Sequence, residues 1–169
     1  MVIWIIGLSG SGKTYLSKKI FKKIKGKKIL LDGDTVREYI TYKLKYSKQD
    51  REKNSQIISD LCKFLEVQGF TVVCSILSIF RKHQKNNRIK FNKYFQIFVK
   101  SKILELKKRN NKDIYSNEDV VGKEIKFPTP YKNDLIINNN FQPYSEKKID
   151  KIINRIKNAG KYKKNYKKL

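Results

Sequence analysis

A glycine-rich motif near the start of the chain has the composition of a phosphate-binding loop. Residues 7–14 read GLSGSGKT and fit the pattern G-x-x-x-x-G-K-[ST]. Glycines let successive backbone N–H groups point into one concavity, and the start of the following helix adds a positive field. Lys13 would reach the β and γ phosphates of ATP, and Thr14 would offer a hydroxyl to Mg²⁺. The residues expected to bind ATP are Gly7, Leu8, Ser9, Gly10, Ser11, Gly12, Lys13 and Thr14.

Two carboxylates follow the next apolar run. Asp32 and Asp34 are separated by one glycine, and Arg37 stands three residues further on. In extended backbone the two carboxylates would face the same side. One can hold the water shell of Mg²⁺ while the other accepts the proton of an attacking hydroxyl, and Arg37 can clamp an anionic group of the acceptor. An Asx turn without a catalytic role is the alternative interpretation.

The elements that position these residues follow an alternating pattern. Short apolar runs predict buried strands, and amphipathic segments between them predict helices at Thr14–Ile24, Lys48–Gln68, Ile103–Arg109 and Glu146–Asn158. The predicted strands are Val2–Ile6, Ile29–Leu31, Phe70–Ser75, Phe95–Val99 and Leu135–Ile137. This order is typical of an α/β fold of three layers with a five-strand parallel sheet, whose ligands bind at the carboxyl ends of the strands.

One domain, over residues 1–160, accounts for these elements. A long polar stretch at about 110–133 has the length of a lid loop, and residues 161–169 read as a basic tail. A single domain with a phosphate-binding loop and this length has room for two substrates and a lid, which favours a small-molecule kinase. We find no apolar run long enough for a membrane span.

The excess of basic residues is typical of proteins that bind nucleic acids. Forty Lys and Arg residues stand against 15 Asp and Glu, a formal net charge of +25. The excess is mostly lysine, mixed with many Asn and Ile residues, which AT-rich codons also produce. We therefore expect no nucleic-acid partner, although a basic nucleic-acid-binding protein remains the alternative of another class.

The remaining reactive side chains suggest no further chemistry. Cys62 and Cys74 lie in apolar contexts without metal-ligand spacing, which predicts reduced core thiols in a cytoplasmic protein. His83 lies in a polar, basic stretch, where a surface position is expected.

Five blocks of the sequence resemble, in order and spacing, the adenylyl-sulfate (APS) kinase family. They are GLSGSGKT at 7–14, LDGDTVR at 31–37, YSKQDREKN at 46–54, SILSIFR at 75–81 and RNNKDIY at 109–115. The resemblance implies a P-loop kinase fold and, with Mg²⁺, transfer of the ATP γ-phosphate to the ribose 3′-hydroxyl of a nucleotide. That acceptor would carry a second tetrahedral group on its 5′ phosphate. The family often forms homodimers.

The resemblance also assigns roles to single residues. Asp34 matches the family's carboxylate near the 3′-hydroxyl, and Lys112 matches the lysine of its lid motif, so the expected catalytic residues are Asp34, Lys13 and Lys112. Tyr46 stands where the family has a phenylalanine that stacks on the acceptor base. The expected metal-binding residues are Thr14 and Asp32. The expected acceptor-binding residues are Asp34, Arg37, Tyr46, Arg51, Asn54, Leu77 and Phe127.

Departures from the family concentrate on the acceptor side. The lid motif RDPKGLY of the family is RNNKDIY here, and a family proline is replaced by Ile79. A changed rim alters the contacts that select a base, whereas stacking tolerates any base. With its altered lid, the chain resembles a branch of this family, the cytidine diphosphoramidate kinases of capsule biosynthesis, and that resemblance implies cytidine diphosphoramidate as the preferred acceptor. Adenylyl sulfate is the alternative acceptor. A third interpretation is a kinase that acts on a sugar or on shikimate.

Overall fold

A five-stranded parallel sheet forms the centre of the computed structural model, which describes residues 1–109 and 120–162, with no side-chain detail for 160–162. The strands lie in the order β2-β3-β1-β4-β5. Their bounds are β1 Val2–Ile6, β2 Lys28–Asp32, β3 Thr71–Ile76, β4 Tyr94–Lys100 and β5 Leu135–Asn138. All five strands predicted from apolar runs are confirmed, each within two residues at either end.

Helices cover both faces of the sheet and connect the strands. Their bounds are α1 Lys13–Lys23, α2 Gly33–Tyr39, α3 Lys48–Val67, α4 Arg81–Lys90, α5 Ile103–Arg109 and α6 Glu146–Tyr162. The four predicted helices are confirmed, and α2 and α4 are additions. The buried residues of α4 are the polar His83, Gln84 and Asn87, so apolar periodicity could not reveal it. α6 continues to Tyr162, into the predicted tail, and residues 163–169 lie outside the described part.

Two apolar cores lie on opposite faces of the sheet, because successive strand residues point to opposite sides. On β1, Ile3 and Ile5 pack with Leu16 and Ile20 of α1 and with the apolar face of α6. Val2, Trp4 and Ile6 pack on the other face, against α3. Cys62 and Cys74 are free, buried thiols in this second core, as predicted. The central strand is thus buried on both sides, which fixes the loop that follows it.

His83 is buried, so its predicted surface position is wrong. Its Nδ1 lies 3.1 Å from Ser55 Oγ, its Nε2 lies 3.4 Å from Glu52 Oε1, and its ring contacts Phe80. The polar sequence around His83 is the polar inner face of α4, which packs on the polar side of α3. Composition alone does not separate such a face from a solvated one.

The second half of the predicted lid is anchored to the sheet. Tyr131 donates its N–H to Gln84 Oε1 at 2.6 Å, and its carbonyl accepts from Gln96 Nε2 at 2.8 Å. Both glutamines are fully buried. Residues 120–134 form no regular element beyond one isolated bridge between Val121 and Ile125. The first half, residues 110–119 with Lys112, lies outside the described residues.

Candidate functional site

The glycine-rich loop lies at the carboxyl edge of the sheet, between the end of β1 and the start of α1. Gly12 caps α1 with a φ of 90°, a left-handed conformation that favours glycine. A Cβ at Gly12 would lie 2.8 Å from Asn139 Nδ2. That same amide donates a 2.7 Å hydrogen bond to the Ser11 carbonyl, so the loop after β5 supports the phosphate-binding loop directly.

Lys13, Thr14 and Asp32 meet at this edge. Thr14 Oγ1 donates to Asp32 Oδ2 at 2.8 Å, although 18 residues separate them in the chain. Lys13 Nζ donates to the Leu8 carbonyl at 2.6 Å, and its charge also acts on Asp32. The structure thus brings together the expected phosphate-binding lysine and both expected metal-binding residues.

Three further groups fix the Asp32 carboxylate. Ser75 Oγ, at the end of β3, donates to Oδ2 at 2.8 Å. The Asp34 amide donates to Oδ1 at 3.1 Å, which makes Asp32 the N-cap of α2. Burial by itself would raise the pKa of Asp32, but the hydrogen bonds from Ser75, Thr14 and the Asp34 amide, with the Lys13 charge, lower it overall. Asp32 is therefore a carboxylate at neutral pH.

The donor set suits Mg²⁺ bound together with a nucleotide. A hydroxyl and a carboxylate are hard oxygen donors, and Mg²⁺ in phosphate sites takes most of its ligands from phosphates and water. Among the residues that the structure describes, no group of three or more His, Cys, Asp or Glu side chains could hold a metal alone. Thr14 and Asp32 fit a metal that arrives with a nucleoside triphosphate.

An aromatic side chain flanked by two guanidinium groups forms the second half of the site. The Cζ atoms of Arg37 and Arg51 lie 4.8 Å and 5.2 Å from the Tyr46 ring centroid. Arg37 also donates to the carbonyls of Leu44 and Lys45, while Arg51 Nε donates to the Tyr46 carbonyl at 2.7 Å. The two arginines hold this loop, and the Tyr46 ring stays more than half exposed.

The other expected acceptor residues occupy varied positions. Asp34 is exposed in the first turn of α2, and Leu77 is half-buried after β3. Asn54 is buried, and its Oδ1 accepts from Thr41 Oγ1 at 2.6 Å. Phe127 stacks on Phe98 at 5.9 Å between ring centroids. Their contacts with an acceptor stay predictions.

Sequence reasoning missed an aromatic and cationic pair beside the phosphate-binding loop. The Arg109 Cζ atom lies 4.5 Å from the Phe141 ring centroid. Asn139, which bonds the Ser11 carbonyl, also accepts the Phe141 N–H at 3.0 Å, so one residue positions both loops. Phe141 has a φ of 64°, an uncommon backbone conformation for a phenylalanine. Such a pair offers a flat surface for a nucleobase.

No helix in the described part of the chain is long and apolar enough to cross a membrane.

Comparisons with known proteins agree with this geometry. The family profile described as adenylylsulphate kinase matches residues 1–138. The cytidine diphosphoramidate kinase of Campylobacter jejuni is 33% identical over 92% of this chain and 95% of its own length. The adenylyl-sulfate kinase of Gloeothece citriformis is 31% identical over 68% of this chain and 67% of its own.

Solved structures show the same fold. The APS kinase of Mycobacterium tuberculosis, solved with AMPPNP and APS, superposes with a TM-score of 0.83 over 92% of this chain and 96% of its own, at 21% identity. The shikimate kinase of Acinetobacter baumannii reaches a TM-score of 0.60 over 93% of both chains, at 15% identity. The predicted three-layer α/β fold with a five-strand parallel sheet is confirmed.

Proposed function

Because the chain belongs to the adenylyl-sulfate kinase family, we propose that it transfers the γ-phosphate of ATP to the ribose 3′-hydroxyl of a nucleotide. The acceptor carries a diphosphate-like group at its 5′ end. The observation that carries this proposal is the pairing of two sites. The first is the phosphate loop with Thr14 bonded to Asp32, and the second is the loop where Arg37 and Arg51 flank the exposed Tyr46 ring. Helix α2 connects them, because Asp32 caps α2 and Arg37 lies in it. The first suits a phosphoryl donor, and the second suits an acceptor with both a base and an anionic chain.

In the proposed reaction, the acceptor 3′-oxygen attacks the γ-phosphorus while the bond to the β,γ-bridging oxygen breaks and ADP leaves. The exposed Asp34 carboxylate orients the hydroxyl and accepts its proton. Lys13 and the loop amides stabilise charge on the phosphates. Thr14 and Asp32 would hold Mg²⁺, which would neutralise further charge on the phosphates. Lys112 would add a positive charge from the lid.

The donor base binds, in this proposal, against the Arg109 and Phe141 pair. The pair lies beside the phosphate loop through Asn139, on the β5 side of the sheet. The acceptor base stacks on Tyr46, which follows α2 on the β2 side. The reacting phosphate and hydroxyl then meet between the two, near Thr14 and Asp34.

We propose cytidine diphosphoramidate as the preferred acceptor, in a cytoplasmic step of capsule biosynthesis. The support is the similarity to the Campylobacter jejuni cytidine diphosphoramidate kinase, which extends over 92% of this chain. The probable adenylyl-sulfate kinase of Bacillus subtilis aligns over 94% of this chain at a lower identity, 29% against 33%. The altered lid motif points the same way. Adenylyl sulfate is the second candidate, because the base-stacking platform accepts either base.

The test compares the two acceptors side by side. ATP consumption and the 3′-phosphorylated product are measured with cytidine diphosphoramidate and with adenylyl sulfate at equal concentrations. We expect a kcat/KM at least tenfold higher with the cytidine nucleotide. The variant Lys13→Ala controls for contaminating ATPases and should be inactive with both acceptors. Inactivity of the unmodified protein with both would refute the proposal, and a preference for adenylyl sulfate would reverse the choice of acceptor.

A homodimer is also a proposal here, taken from the family. Light scattering coupled to size-exclusion chromatography measures the mass in solution against 20.0 kDa for one chain.

A further inference from the structure

The strand that supplies the expected metal carboxylate is not the neighbour of β1. β3 lies between β1 and β2, and its residue in register with Ile5 on one side and Asp32 on the other is Ser75. The Asp32 carboxylate must therefore extend across the end of β3 to meet Thr14, which follows β1. Ser75 stands at the crossing point.

We propose that Ser75 is a positioning residue for the magnesium site, holding the Asp32 carboxylate in the orientation that meets Thr14. This inference rests on the proposed function, since it assumes that Mg²⁺ binds with ATP at Thr14 and Asp32. Ser75 is 2% exposed, and its Oγ donates to Asp32 Oδ2 at 2.8 Å. Thr14 Oγ1 donates to the same oxygen at 2.8 Å.

The hydroxyl groups of Thr14 and Ser75 have different roles because one is exposed and the other is buried. Thr14 is exposed in the first turn of α1, whereas Ser75 is enclosed at a strand end. Donation of the Thr14 proton to Asp32 leaves the oxygen lone pairs of Thr14 free for a cation. The Ser75 hydroxyl bonds to Asp32 Oδ2 and lies 3.5 Å from Ser17 Oγ, so it acts on the ion through Asp32. Groups that orient metal ligands in this way set metal affinity.

A second serine stands behind the first. Ser17 Oγ lies 3.5 Å from Ser75 Oγ and donates to the Thr14 carbonyl at 2.9 Å. Ser17 is 1% exposed on the inner face of α1. The pair links the helix that carries Thr14 to the strand that supports Asp32, so the two metal-binding residues share one buried polar support.

The experiment measures the affinity of a fluorescent ATP analogue in the presence of Mg²⁺ and in the presence of EDTA. For Ser75→Ala we expect the affinity in EDTA to stay within about twofold of the parent. We expect the gain in affinity that Mg²⁺ provides to fall by about tenfold or more, the usual cost of losing a group that orients a metal ligand. Ser75→Thr keeps the hydroxyl and should restore most of that gain.

Ser59→Ala is the matched control. Ser59 is also buried, and its Oγ donates to Asn87 Oδ1 at 2.7 Å, between α3 and α4. Its variant should keep the full Mg²⁺ gain. A thermal unfolding scan shows which variants are folded. If Ser75→Ala does not fold, Ser75→Cys replaces it, because a thiol has a similar volume but is a weak donor. Ser75→Cys should also lose the gain in affinity that Mg²⁺ provides.

Three results would overturn the inference. Ser75→Ala could keep the full gain in affinity that Mg²⁺ provides, or it could lose nucleotide affinity equally in EDTA and in Mg²⁺. The third result is a parent protein whose nucleotide affinity does not increase with Mg²⁺. A parent that binds ATP with a Mg²⁺ gain but phosphorylates neither nucleotide refutes the proposed function instead. In that case the role of Ser75 at the metal site is still decided by its own variants.

Discussion

The Arg37 guanidinium lies over the Tyr46 ring, with 4.8 Å between its Cζ and the ring centroid. The same guanidinium donates to the carbonyls of Leu44 and Lys45, so Arg37 fixes both the ring and the backbone that carries it. An exposed tyrosine on an unsupported loop would adopt many rotamers. Here two arginines hold it before any acceptor arrives, which lowers the entropy cost of stacking.

Removing the Tyr46 ring should weaken acceptor binding without affecting the donor. For Tyr46→Ala we expect the KM of the acceptor nucleotide to rise about tenfold, since stacking contributes about 1–3 kcal/mol per base. Tyr46→Phe should stay within about twofold, because the π-face remains. Tyr42→Ala is the control, since Tyr42 is exposed on the same connection and its ring centroid lies 5.7 Å from Lys43 Nζ. Steady-state kinetics with each substrate varied separately measure these effects, and equal losses in Tyr46→Ala and Tyr42→Ala would argue against stacking.

Neutralising Asp34 should impair turnover far more than binding. The variant Asp34→Asn keeps the shape and the backbone bond to Asp32 but cannot accept a proton, so kcat should fall by about 100-fold or more. Nucleotide dissociation constants should stay within about threefold. Asp150→Asn, which removes a carboxylate on α6 paired with Lys23, should leave kcat unchanged. A near-normal kcat for Asp34→Asn would remove Asp34 from the mechanism.

Phe141 should govern affinity for the donor. Loss of its ring in Phe141→Ala should raise the KM of ATP by about tenfold and leave the acceptor KM unchanged, because the ring lies on the Asn139 side of the phosphate loop. Phe141→Tyr retains the π-face and should behave as the parent. Phe64→Ala, at an exposed site on α3, serves as the control. If the acceptor KM rises instead of the ATP KM, the donor base lies elsewhere.

Burial of His83 should make the free energy of unfolding depend on pH. Burial lowers its pKa below the ordinary value of 6.5, although nearby Glu52 acts in the opposite direction. The unfolded chain therefore binds a proton at a higher pH than the folded chain does. The free energy of unfolding should be highest above 6.5 and decrease as the pH falls from 6.5 to the folded pKa.

Urea unfolding at several pH values between about 5 and 7.5 measures this slope. The variant His83→Asn, which keeps a polar partner for Ser55, should flatten the slope within that window. Lys18→Asn, at an exposed position of α1 on the opposite side of the sheet, should leave the slope unchanged. The same slope in His83→Asn as in the parent would assign the pH dependence to other groups.

The exposed lysines of the folded chain lie on both sides of the sheet. Exposed lysines such as Lys18 and Lys147 lie on α1 and α6, on one side of the sheet. Others, such as Lys53 and Lys82, lie on α3 and α4, on the opposite side. Positive charge on both sides suits general attraction of small anions more than one continuous track for a nucleic acid.

The sequence alone determined the strands, the phosphate loop and the order of the elements. Apolar runs such as Val2–Ile6 are local signals, and the loop at 7–14 needs only neighbouring residues to take its shape. The buried polar partners were not predictable in the same way. Ser75 meets Asp32 across 43 residues, and Asn139 meets the Ser11 carbonyl across 128.

Only the tertiary structure decided those contacts, because they depend on strand order and on helix packing rather than on any local pattern. The polar face of α4 shows the same limit, since His83 is buried only because α3 supplies Ser55 and Glu52. A sequence specifies which groups can donate and accept. The fold determines which of these groups are buried away from water and must therefore form hydrogen bonds with each other.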